Sequence, residues 1–289
     1  MWPQLILSGM AIGSMYGLVA LGFQITYAVS NTMNLSQGAF VMVGAVICYC
    51  LNIAWGVPAI AAVPITLALC AALGLVIERW IVRPFARKGS QSWLLSTIAL
   101  GIIAENVAML TFGKEVRGYP SPLAETTVSI LNFGVFPLEI VIPVVGLATA
   151  VGLWLLFNRT LWGKAFRAAS ENPMTAQILG IPVTRLIALS FGLSTALAGL
   201  AGMLIAPIAN VSATMGTLLG VKAFATAIIG GLSNPWGVMV AGVLYGVVES
   251  IAAGMLGGSY REIIGFLVVI AVLAVRPNGL FGRTNIKKV

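Results

Sequence analysis

Few ionisable side chains in this 289-residue sequence fall inside apolar stretches: Glu105, Lys222 and Glu249 are the candidates. A lone charge within a membrane span costs about 2.5–3.5 kcal/mol on insertion scales, so each should face protein or water. Three readings of Glu105 stand: it pairs with Lys222, lines a polar path, or hydrogen-bonds inside a helix bundle. Asn34, Ser36 and Gln37 form a second polar group, at the expected start of an apolar helix. Free backbone N–H groups at such a start can face an anionic carboxylate. Plain capping of the helix by Asn34 or Ser36 is the other reading. The remaining inventory excludes much chemistry. There is no His and no Asp, and all eight acidic residues are Glu. A Ser-His-Asp triad and a His-ligated zinc are therefore impossible. No GxxxxGK[ST] occurs, so the chain has no phosphate-cradling loop of its own. Cys48, Cys50 and Cys70 lie in apolar stretches without metal-ligand spacing and read as small buried apolar residues. No cofactor is implied.

The elements that must position these residues are membrane helices. The chain is 59% hydrophobic and 8% charged, with a mean hydropathy of +1.02. Soluble domains carry about 25% charged residues, so this sequence cannot coat a globular surface. A soluble enzyme and a disordered protein are excluded, and an all-α, polytopic integral membrane protein of about eight to nine transmembrane helices is expected. Spans are predicted near 4–29, 36–54, 57–78, 92–112, 138–157, 186–206, 218–232, 236–254 and 260–275. The first is read as a retained helix, since no basic residue precedes Arg79 and a signal peptide needs a basic start.

The formal net charge of +8 is read as membrane-loop charge and not as a nucleic-acid surface. Arg79, Arg83, Arg87 and Lys88 follow the third span. Arg159, Lys164, Arg167 and Arg185 flank the loop after the fifth. Arg276, Arg283, Lys287 and Lys288 follow the last. Together these hold twelve of the sixteen basic residues, and all three clusters are expected in the cytoplasm. Parity then favours counting 218–232 as a crossing, for nine spans; with eight, that segment is re-entrant. The whole of 1–289 reads as one transmembrane domain, with an external loop at about 113–137.

The loop at 158–185 is too polar to cross yet carries helix punctuation. Asn172 suits an N-cap, Pro173 the first helical position, and Gly180 the left-handed position past the end. A helix of about two turns follows, with Met174 and Ile178 on one face. So short a helix is marginal alone and needs something to pack on. Either it lies on the protein's own surface, or it docks in a groove on a partner.

Ala169, Glu171-Asn172-Pro173, Ala176 and Gly180-Ile181 resemble the coupling loop of ATP-binding-cassette importer permeases. The permease family for branched-chain amino acids is most similar. Its motifs recur in order: Asn34-Leu35-Ser36-Gln37-Gly38, Glu78-Arg79 with Arg83-Pro84, the coupling loop, Lys222-Ala223-Phe224, Gly230-Gly231-Leu232-Ser233-Asn234-Pro235-Trp236-Gly237, and Arg276-Pro277-Asn278-Gly279-Leu280-Phe281-Gly282. The arrangement looks like the first of the two permease subunits. The resemblance implies an importer permease fold in the bacterial inner membrane, a heterodimer with a sister permease, two cytoplasmic ATP-binding subunits and an extracytoplasmic substrate-binding protein. It implies coupling through Glu171, Asn172, Pro173, Ala176, Gly180 and Ile181. It further makes Asn34, Ser36, Gln37, Glu105 and Lys222 candidates for the translocation path. ATP hydrolysis then belongs to the partners. One departure is that relatives often have His where this chain has Gln37, and relatives with altered motifs carry urea or short amides. The alternatives are therefore such a solute in the same importer class, or a self-sufficient amino acid carrier.

Overall fold

The computed structural model describes residues 2–86, 92–125, 128–130, 133–232 and 234–282. Among the described residues eight helices are long and apolar enough to cross a membrane: α1 Trp2–Ser30, α2 Gln37–Ala54, α3 Ala59–Ala86, α4 Ser92–Thr111, α5 Pro137–Arg159, α8 Val183–Ala209, α10 Pro235–Leu256 and α11 Gly258–Val275. Two short helices, α6 Leu161–Glu171 and α7 Pro173–Ile178, join α5 to α8, and α9 Met215–Gly230 precedes α10. The ninth crossing expected at 218–232 is α9, whose 16 residues reach about 24 Å. That falls short of the roughly 30 Å hydrocarbon core. The expected external loop holds one small antiparallel hairpin, β1 Val128–Ile130 with β2 Phe133–Val135, which pairs Val128 with Val135 and Ile130 with Phe133.

Helix α1 is the centre of the bundle and packs on α10, α8, α5 and α9. It is uncharged and apolar on every face, as a helix buried all round must be. It meets α10 antiparallel through glycines. A Cβ added at Gly13 would lie 2.5 Å from the Gly242 carbonyl oxygen. Small residues there let two backbones touch, which is how helices associate where lipid removes the hydrophobic drive.

Helix α2 begins inside the bundle. Gln37, its first residue, lies against Gly22 of α1 and donates to the Ser194 carbonyl in the middle of α8, at 2.8 Å. Gly22 sits about 12 Å along the axis from the last residue of α1. The 31–36 connection therefore turns back into the protein before α2 starts. From there α2 runs beside α8 in the same direction, Gly44 against Gly199.

The described members of the basic clusters collect at one end. Arg79, Arg83, Trp162 and Arg185 line one groove there. Helix α10 runs antiparallel to α1, so its start lies toward the end where α1 stops. The 276–282 tail packs there: Phe281 lies against Gly237 of α10, and the Leu280 N–H donates to the Ile229 carbonyl of α9 at 2.7 Å. Arg87, Lys88, Arg283, Lys287 and Lys288 lie outside the described residues. At the opposite end Arg117 and Val211 exchange backbone hydrogen bonds of 2.9 and 2.8 Å.

Candidate functional site

Two regions carry the sequence-selected residues. The first is at the basic end. Thr160 caps α6 by accepting from the Gly163 N–H at 3.1 Å. Asn172 then caps α7, its Oδ1 accepting from the Met174 and Thr175 N–H groups at 3.1 and 3.0 Å. At the far end Gly180 has φ +81°. Its N–H donates to the Gln177 carbonyl at 3.0 Å, and the Ile181 N–H donates to that of Ala176 at 2.9 Å. This pair of bonds is a Schellman motif, and it satisfies the last carbonyls of the helix. Both ends of a six-residue helix are thus closed internally.

Below α7 lies a small core of its own, formed by Val29 of α1, Ala169 of α6, Ala176 of α7, and Val183 and Leu186 of α8. Ala176, one of the expected coupling residues, faces inward here: it is 2% exposed and seats the helix on the bundle. The outward face is apolar instead. Met174, Ile178 and Leu179 are 76%, 79% and 74% exposed. Glu171, Asn172, Pro173 and Gly180 are also exposed, while Ile181 is half-buried.

The second region lies where α2 and α9 begin side by side. Gly38 packs on Gly216 and Gly220, and Gly101 of α4 faces Ser36. One turn further along α4, the Thr217 hydroxyl approaches both oxygens of the Glu105 carboxylate, at 3.3 and 3.4 Å. Thr217 and Thr214 are exposed and Glu105 is half-buried, on the surface of the chain.

The remaining path candidates, Asn34, Ser36, Gln37 and Lys222, are buried within the chain. Asn34 and Ser36 are 0% and 1% exposed. Asn34 Oδ1 accepts from the Ser36 N–H at 3.2 Å and from the Ser36 hydroxyl, while its Nδ2 has no partner among the described residues. Gln37 is fully buried. Its Nε2 donates to the Ser194 carbonyl, and the Ser194 hydroxyl donates back to its Oε1 at 3.1 Å. We expect Ser194→Ala to lower thermal stability by about 1 kcal/mol, the worth of one such bond. Solute preference should not change, and competition uptake assays beside melting curves check both.

Lys222 does not pair with Glu105. It is 3% exposed and forms an ion pair with the fully buried Glu249 of α10. Glu249 also accepts from the Tyr16 hydroxyl at 2.8 Å, and Arg261 of α11 lies 3.4 Å away. Four helices meet at this one carboxylate. The signal available in the sequence was scarcity: Lys222 and Glu249 were the only charges within the spans of α9 and α10. Thr217 gave no signal, being one hydroxyl among many.

The profile of a family described as the permease component of branched-chain amino acid transport systems matches residues 5–273. The chain is similar to the high-affinity branched-chain amino acid transport system permease protein BraD of Pseudomonas aeruginosa, with 30% identity over 99% of this chain and 97% of that one. The corresponding permease protein LivH of Escherichia coli K12 is 28% identical over 99% of this chain and 97% of its own. A probable branched-chain amino acid transport permease protein LivH of Methanocaldococcus jannaschii is 30% identical over 96% and 92%. Among solved structures, PsaBC from Streptococcus pneumoniae in complex with Fab matches in fold. Its TM-score is 0.51 at 15% identity, covering 96% of this chain and 92% of that one.

Proposed function

Because the chain belongs to the family of permease components of branched-chain amino acid transport systems, we propose that it forms half of the membrane path of an ATP-driven importer for leucine, isoleucine and valine. It is a transport subunit and carries no hydrolytic machinery. Its partners are two ATP-binding subunits, an extracytoplasmic substrate-binding protein and a sister permease that completes a heterodimer. All of 1–289 acts as one permease domain. The basic end faces the cytoplasm, since basic loops stay on that side, and the 113–137 loop faces out.

The observation that carries this reading is α7. A helix closed at both ends, seated on a private core, presents three apolar side chains to solvent beside the membrane. Such a face fits a hydrophobic groove on a cytoplasmic ATPase. The segment 158–185 is the coupling loop in this reading. The path itself runs along the surface of α4 and α9 that bears Glu105, Thr214 and Thr217. A carboxylate on that surface is costly against lipid, so the sister permease covers it. A branched-chain amino acid is zwitterionic with an apolar side chain. Its ammonium suits Glu105, and the exposed start of α9 suits its carboxylate.

The urea or amide reading rested on Gln37. That residue is buried and holds α2 to α8, so its identity does not imply a different solute. The test is reconstitution of the chain in proteoliposomes with its co-expressed partners. Leucine uptake should require ATP and the binding protein, and calorimetry of that binding protein should show leucine preferred over urea and acetamide. Leucine transport by the chain without ATPases, or a binding protein that ignores leucine, would overturn the assignment.

A further inference from the structure

At the basic end a groove of about 590 Å³ opens between α3, α6 and α8, lined by Leu75, Glu78, Arg79, Arg83, Arg185 and Leu189, with Trp162, Thr184 and Ala188 completing it. Its charge is unbalanced. Arg83 and Glu78 neutralise one another in a two-pronged pair, Nε to Oε1 at 2.9 Å and Nη2 to Oε2 at 2.6 Å. Arg79 and Arg185 are exposed and form no ion pair among the described residues. The groove is also graded along the bundle axis. Leu75 and Leu189 lie within the spans of α3 and α8 and are exposed there. The arginines sit toward the helix ends, with Trp162 and the neighbouring Trp80 59% and 72% exposed. Exposed tryptophans at that level mark the membrane–water interface.

We propose that this groove is a binding site for an anionic phospholipid. The phosphate lies between Arg79 and Arg185, and an acyl chain follows Leu75 and Leu189 into the hydrocarbon. Basic pockets between membrane helices on the cytoplasmic side recognise such headgroups by charge and by depth together. A free anion would use the arginines and leave the apolar wall bare. An acidic partner surface would not reach a wall that lies within the spans. The Glu78–Arg83 pair fixes the end of α3, where Glu78–Val82 is wound as a π turn, and so sets where Arg79 points.

The test is native mass spectrometry of the full chain, with any partners that co-purify, titrated with phosphatidylglycerol or phosphatidylcholine. Wild type should retain phosphatidylglycerol in preference. The R79Q/R185Q variant should retain it about thirtyfold less well, roughly fivefold for each cation. Lys164→Gln removes an exposed charge outside the groove and should change nothing. R79K/R185K should bind within a few-fold of wild type, which keeps the test valid if the glutamine variant misfolds. Equal loss in K164Q, or no preference between the two lipids, would reduce the site to diffuse attraction and overturn the proposal. Displacement of the lipid by millimolar glycerol phosphate would identify a free-anion site instead. Loss of ATPase co-purification in R79Q/R185Q with lipid retention unchanged would assign the groove to the partner.

Discussion

Replacing Met174 and Ile178 together with Asp is expected to abolish ATP-driven uptake while the membrane bundle assembles normally. Both side chains are more than three-quarters exposed, so neither contributes to the core, and α7 is capped without them. Docked against a partner, each would be stabilised by about 1.5–3 kcal/mol of apolar burial. Putting two carboxylates there forfeits that and adds desolvation, so ATPase affinity should fall at least about a hundredfold. Ala176→Glu makes the contrast. Its side chain points into the Val29–Ala169–Val183–Leu186 core, so it should dislodge α7 and expose the 158–185 loop to protease as well. Gly180→Val is milder, because a Cβ there meets nothing within 4 Å and only the left-handed backbone resists, at roughly 1 kcal/mol or more. The checks are co-purification of the ATPases, uptake in proteoliposomes, and limited proteolysis. Normal complex and normal uptake in the double-Asp variant would remove α7 from the coupling mechanism.

The largest stability effect is expected at Glu249. Changing it to Leu strands the Lys222 ammonium, which is 3% exposed and has no other anion beside it among the described residues. Breaking a buried pair from one side typically costs about 3–5 kcal/mol. It also frees the Tyr16 hydroxyl deep in α1. Arg261 is less affected, its side chain being one-third exposed. The double change K222M/E249L removes both charges and should recover most of the loss, since well-packed apolar replacements of buried pairs are often neutral. Melting curves in detergent across the four members of this cycle measure the coupling. If the double variant is as unstable as E249L alone, the pair is not what holds α9 to α10.

The caps of α7 were legible because they depend on neighbours in sequence: Asn172, Pro173 and Gly180 act within one or two turns. The inward face of Ala176 was not, because the wall it meets comes from Val29 and Val183 on other helices. Spans were legible from hydropathy, and every long helix lies where an apolar run predicts it. The role of the α2 start stayed open between a path and a cap because polarity alone does not distinguish a residue facing a solute from one tied to a neighbour. Gln37 is tied to Ser194, 157 positions away. The partner of Lys222 stayed open for the same reason: choosing between Glu105 and Glu249 takes the packing angles of α9, which no local pattern encodes. The short length of α9 was visible, but the parity of the basic loops argued for a full crossing.

The central place of α1 also bears on how the protein is made. Its closest neighbour in space is among its most distant in synthesis: Tyr16 and Glu249 are 233 residues apart, and the Ser250 hydroxyl reaches the Leu5 carbonyl across 245. At about 5–20 residues per second, α1 leaves the ribosome roughly ten to fifty seconds before α10. During that interval its glycine-lined face has no helix to meet, and its buried Gln24 and Thr26 have only lipid or the insertion machinery beside them. The helix that organises the finished bundle is therefore the one most exposed to premature pairing and to membrane quality control while translation is under way.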